Sequence, residues 1–126
     1  MSGSKVSARG LFDRVGGRER VRAILDRFYT RLFDDVITGF HFAGHERSKI
    51  VDGQLQFLAW ATGADPELTV RHPKGAHVKV APILRGHFDR RLVVLREVLA
   101  AEGLELSDID AWIGLEEAMR KHVQAR

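Results

Sequence analysis

The sequence contains no cysteine at all. Disulfides, thiolate–zinc sites and iron–sulfur clusters are therefore excluded, and a reducing compartment is permitted. Proline is scarce, with only three residues, and two of them, Pro73 and Pro82, bracket one short stretch. There is a single tyrosine, Tyr29, so any function that needs a buried phenol falls to that position. No apolar run approaches the roughly 18 residues of a membrane span. The polar start Met1-Ser2-Gly3-Ser4-Lys5 does not read as a secretory leader, so the expected location is cytoplasmic, with no membrane partner. Lys and Arg exceed Asp and Glu by 20 to 17, a net charge of +3 with an isoelectric point near 9.7. That balance raises nucleic acid as a partner, but the basic residues are scattered and no basic run carries interleaved aromatics, so no nucleic-acid binding is expected.

What is present is ordinary globular material. A length of 126 residues fits one domain, and 44% apolar with 29% charged residues is enough for a core. Residues 1–10 form a polar tail, and 11–126 a single domain. Leu11, Phe12 and Val15 make one or two apolar turns that stop at Gly16-Gly17. From Arg18 the residues Val21, Ile24, Leu25, Phe28, Tyr29, Leu32 and Phe33 repeat at helical spacing. Phe40 to Gly44 is an aromatic corner. A second amphipathic helix is expected from about Glu46 to Thr62, with Ile50, Gln54, Phe57, Leu58 and Ala61 on one face and Val51, Leu55 and Trp60 beside them. A third runs from Ile83 to about Glu102. A last helix, N-capped by Ser107, carries Ile109, Trp112, Leu115, Met119 and Val123. No run alternates long enough for a strand, so the chain reads as all-α.

Three polar residues stand out against these stripes. Gln54 and Tyr29 interrupt apolar faces, and His77 lies on a segment that the two prolines keep to a turn or two of helix. Each has an unremarkable explanation: a glutamine bonded to a free carbonyl, a tyrosine with a nearby acceptor, a surface or core histidine. His41 and His45 have the i, i+4 spacing of metal ligands, but no carboxylate or cysteine set completes a zinc site. Either could instead swing in as an iron ligand. His87 and His122 read as ordinary helix residues.

Taken together, the order of these features resembles the truncated haemoglobins. A Gly-Gly pair separates a stunted first helix from the second, as Gly16-Gly17 does here. Phe28-Tyr29, Phe42-Ala43-Gly44 and Gln54 with Phe57 match the distal half of that family, and Ala76-His77, Ile83 and His87-Phe88 match its proximal half. The resemblance spans about residues 11–123 and implies a two-over-two helical sandwich around haem b. It implies His77 as the iron ligand, leaving the sixth position open. Tyr29 and Gln54 would be hydrogen-bond donors to the bound gas, each worth about 1–3 kcal/mol. Phe28, Phe42, Ile50, Phe57, Leu58, Val80, Ile83 and Phe88 would line the pocket, with Arg71, Lys74 and Lys79 near the propionates. The implied partners are dioxygen, nitric oxide or another diatomic gas, and the implied state is a monomer or weak dimer. Nitric oxide dioxygenation is the reaction this suggests. It requires an outside reductase, because the chain has no dinucleotide fingerprint. The alternative is a non-catalytic oxygen carrier or gas sensor.

The chain departs from the family pattern in four places. Ile50 stands at a distal position often held by glutamine and cannot donate. Leu68-Thr69-Val70-Arg71 replaces a glycine-containing run. One residue is added between His77 and Phe88. Arg91 occupies an inward position where two subgroups carry tryptophan, which points to the first subgroup. Arg91 is expected to snorkel to solvent, the alternative being a propionate or carboxylate at the pocket edge.

Overall fold

The computed structural model describes residues 8–65 and 85–123. Helix α1, Leu11–Val15, buries its three apolar residues and stops at Gly16, whose φ of 128° suits a residue without Cβ. Helix α2, Gly17–Asp34, follows at once, and α3 spans Arg47–Ala61. Beyond the undescribed stretch come α4, Arg85–Ala101, and α5, Leu106–Val123. Helix α2 packs on both α3 and α4, α4 packs on α5, and α1 plugs the end between α2 and α5. The described chain is helical throughout, as its periodicity predicts, and none of its helices is long and apolar enough to cross a membrane.

The stripes read from the sequence meet in one core. Val21, Ile24, Leu25, Phe28 and Leu32 of α2 pack with Val51, Leu55 and Leu58 of α3, Val94, Leu95, Val98 and Leu99 of α4, and Ile109 and Trp112 of α5. A fully buried side chain of this size contributes roughly 1.5–3 kcal/mol of transfer free energy, which is what fixes the helices against one another. On α3 the buried row is Val51, Leu55, Leu58 and Ala59. The row expected to face inward is only partly covered, since Ile50, Gln54, Phe57 and Ala61 are half-buried beside it. The helical period explains the shift: 51, 55 and 58 lie on one line against α2, and 50, 54 and 57 lie on the adjoining line.

The corner between α2 and α3 is tightly specified. Asp35 accepts hydrogen bonds at Oδ1 from the Ile37 and Thr38 amides, at 2.8 and 3.3 Å, and at Oδ2 from Arg90 Nε at 2.8 Å. The end of α2 is thereby tied to α4. Buried Thr38 donates its hydroxyl to the Leu32 carbonyl at 2.8 Å. A Cβ on Gly39 would sit 2.6 Å from the Phe33 carbonyl oxygen, so only glycine lets the chain pass here into the 3-10 turn Gly39–Phe42. This turn delivers Phe42 edge-on to the Tyr29 ring, 5.9 Å between centroids.

One boundary differs from expectation. The Glu105 carbonyl accepts the Asp108 and Ile109 amides, each at 3.0 Å, so α5 starts ahead of Ser107 and that serine sits exposed in the first turn rather than capping it. The Asp108 carboxylate beside it accepts Arg14 Nε at 2.9 Å, fastening α5 to α1.

Candidate functional site: a four-helix polar network around Tyr29

Tyr29 lies in the middle of α2 with its ring between Phe28, at 5.0 Å, and Phe42. It is only 3% exposed. Its hydroxyl oxygen accepts a hydrogen bond from Arg91 Nη2 of α4 at 3.0 Å. Arg91 Nε in turn donates to Glu116 Oε1 of α5 at 2.7 Å. The other carboxylate oxygen, Oε2, accepts Gln54 Nε2 of α3 at 3.2 Å. An ionised carboxylate has no hydrogen to give, so the amide must turn its nitrogen toward Glu116. Four helices thus each contribute one polar side chain to a single chain of bonds.

Arg91 does not snorkel. Its side chain is 12% exposed and its partner Glu116 is 2% exposed. A buried guanidinium without a counterion would cost several kcal/mol, and the carboxylate facing it from α5 removes most of that cost. Its guanidinium carbon also sits 5.0 Å from the Phe28 ring centroid and 5.4 Å from that of Tyr29, where the ring faces attract a cation. Burial is the largest single influence on Arg91 and would lower its affinity for its proton, but the charges and hydrogen bonds of Glu116 and Tyr29 together outweigh it and the net direction is up. The Tyr29 phenol is pushed above its ordinary value, chiefly by burial and further by Glu116, against the pull of Arg91. At neutral pH the site therefore holds a cation and a neutral phenol.

Glu116 is the residue that sequence reasoning missed. The signal was present: it stands four residues after Trp112 and three before Met119, on the buried stripe of α5. A carboxylate there requires a cation on a facing helix.

The other residues singled out from the sequence fall in different surroundings. Phe28 is buried in the core under Arg91. Half-buried Phe42 stacks on Phe33 at 4.8 Å, and half-buried Ile50 packs against the core. Phe57 is half-buried beside the exposed Trp60, 6.2 Å between centroids. Leu58 lines a small apolar void with Leu11, Val15 and Trp112. Phe88 lies beneath the Arg120 guanidinium, 4.7 Å from ring centroid to guanidinium carbon. His41 is buried with Nε2 3.1 Å from His87 Nδ1, so His87 is engaged across the fold rather than an ordinary helix position. Arg71, Lys74, His77, Lys79, Val80 and Ile83 lie outside the described residues.

Against known proteins, the bacterial-like globin family matches residues 10–125. A group 1 truncated haemoglobin of Chlamydomonas moewusii is 32% identical over 100 residues, 79% of this chain. The chain spans 58% of the length of that relative. A group 1 truncated haemoglobin of Mycolicibacterium paratuberculosis is 28% identical over 111 residues, covering 87% of this chain and 80% of the relative. Among solved structures, the 2/2 haemoglobin of Synechococcus sp. PCC 7002, which carries a covalently attached haem, superposes with a TM-score of 0.79 at 22% identity over 90% of this chain and 94% of its own. The truncated haemoglobin of Tetrahymena pyriformis gives 0.81 at 20% identity, covering 92% and 98% of the two chains. At those identities the structures speak for the fold, and the match over residues 10–125 for the family. The chain belongs to the bacterial-like globins and is a haem-binding globin of the truncated, two-over-two type, with its matched curated relatives in group 1.

Proposed function

We propose that the chain binds haem b through His77 and a diatomic gas, foremost dioxygen, beside Tyr29, and that it converts nitric oxide to nitrate. One observation carries the gas-binding part. The Tyr29 oxygen accepts from Arg91, and a guanidinium has only donors, so the phenol hydrogen must point elsewhere. Among the described residues no acceptor for it is found, although the side chain is buried. A buried donor that meets no acceptor costs about 1–3 kcal/mol, which a ligand that accepts it would recover. The donor set therefore fits a haem whose bound gas lies on the Tyr29 side.

Haem supplies an iron with one open position, at which dioxygen and nitric oxide combine with one electron to give nitrate. The protein's share is placement. Tyr29 donates its free hydrogen to the ligand and stays protonated, because burial raises its pKa. Gln54 has a second amide hydrogen beyond the one given to Glu116, and that hydrogen is its means of reaching the ligand. Ile50, one turn before Gln54, adds apolar cover and no donor. Arg71, Lys74 and Lys79 are assigned to the propionates, and Phe28, Phe42, Phe57, Leu58, Val80, Ile83 and Phe88 to the walls. The electron comes from a separate reductase. We place the protein in the cytoplasm as a monomer or weak dimer.

Tyr29→Phe keeps the ring and removes the donor. Dioxygen should leave this variant about tenfold faster or more, as loss of about 1.4 kcal/mol implies. Combining it with Gln54→Leu should give less than the product of the single effects, since both donors serve one ligand. An unchanged release rate in Tyr29→Phe would show that the hydroxyl serves another purpose. The reaction is tested separately by mixing the oxygenated protein with nitric oxide. Stoichiometric nitrate is expected, and its absence would leave a carrier or sensor.

A further inference from the structure

We propose that the Arg91–Glu116 ion pair is a positioning device that fixes Tyr29 as a hydrogen-bond donor and, through the same carboxylate, fixes the Gln54 amide. This goes beyond the gas-binding function and rests on it for the identity of the acceptor. A phenol is ambivalent: its oxygen can accept and its hydrogen can donate, and a free hydroxyl rotates to suit. Arg91 removes that choice. Its Nη2 occupies the phenol oxygen at 3.0 Å, and because guanidinium cannot accept, the hydrogen is excluded from that direction. Arg91 could not hold this position alone. Its Nε is anchored at 2.7 Å on Glu116, and the planar fork of the guanidinium carries the fixed geometry of one bond over to the other. Glu116 has both oxygens engaged by the arrangement, one accepting from Arg91 and the other from Gln54 at 3.2 Å, and among the described contacts none joins it to the phenol. The pair brings no net charge into the site. Its effect is therefore directional, favouring ligands that accept a hydrogen bond over those that accept poorly, such as carbon monoxide.

The test uses the haem-loaded full chain and two variants. Arg91→Met combined with Glu116→Gln removes both charges and leaves a neutral partner for Gln54. Arg91→Lys keeps the cation but replaces the fork with a single ammonium, which is not shaped to bridge Glu116 and Tyr29 together. Because Tyr29 is the sole tyrosine, protein labelled with ¹³C at the tyrosine Cζ gives one phenol resonance, readable in the diamagnetic carbon monoxide complex. In both variants that resonance should move from its wild-type position. Dioxygen release should be about fivefold faster, the effect of losing one well-directed hydrogen bond, with carbon monoxide release changed much less. An unmoved resonance overturns the proposal. So does a moved resonance with unchanged dioxygen release, or equal acceleration for both gases. If Tyr29→Phe itself leaves dioxygen release untouched, the gas-binding role of the phenol has failed; if only the Arg91 variants do, the positioning role has failed.

Discussion

Arg91→Met alone should lower the stability of the fold by about 3–5 kcal/mol, the usual effect of stranding one member of a buried ion pair. Glu116 would remain as a carboxylate on a side chain 2% exposed, with the Gln54 amide at 3.2 Å as its one remaining partner among the described residues. Adding Glu116→Gln to the same chain should restore most of that loss, because a neutral pair of similar volume carries no stranded charge and often matches the original ion pair. The large effect is thus predicted for the single variant and the small one for the double, a strong non-additivity between residues on neighbouring helices. Urea unfolding of the ferric proteins, compared at equal denaturant slope, reads this directly. A single variant within about 1 kcal/mol of wild type would mean that Glu116 reaches water and that the network is weakly held.

How far the sequence reaches is visible at these same residues. The apolar periods of α2 and α5 place Phe28, Leu32, Ile109 and Trp112 in the core, because burial is proportional to apolar area and the helical period fixes which side chains share it. Gly16-Gly17 marks a true stop, since Gly16 at φ 128° and Gly17 at φ 83° adopt backbone that other residues rarely tolerate. Polar residues on those stripes are less legible. Periodicity says that Tyr29 and Gln54 face inward, or nearly so, but hydrogen-bond partners come from other helices at large sequence separation. Arg91 and Glu116 are 25 residues apart, and Gln54 and Glu116 are 62 apart. Arg91 taken alone favours snorkelling, because a long aliphatic stem usually carries its charge to water. Only the carboxylate across from it reverses that balance. The partly covered row of Ile50, Gln54 and Phe57 is likewise a property of how α3 is rotated against α2, which tertiary packing decides.

The other large effect concerns haem itself. His77 is assigned as the iron ligand by family resemblance and lies outside the described residues. His77→Gly removes the only covalent link between protein and iron that this assignment allows, so haem binding should be lost or weakened by orders of magnitude. Imidazole added to the buffer can occupy the space left by the side chain and should restore part of the binding. The network of Tyr29, Arg91, Glu116 and Gln54 is untouched by the change, so the apoprotein should keep its helical content.

The absorption spectrum of the purified protein, ferric and then ferrous, recorded for wild type and for His77→Gly with and without imidazole, tests the central claim most directly. One haem per chain in the wild type, its loss in the variant and its partial return with imidazole are the predicted results. A variant with the wild-type spectrum would contradict the assignment of His77, and a wild-type chain that takes up no haem would contradict the account as a whole.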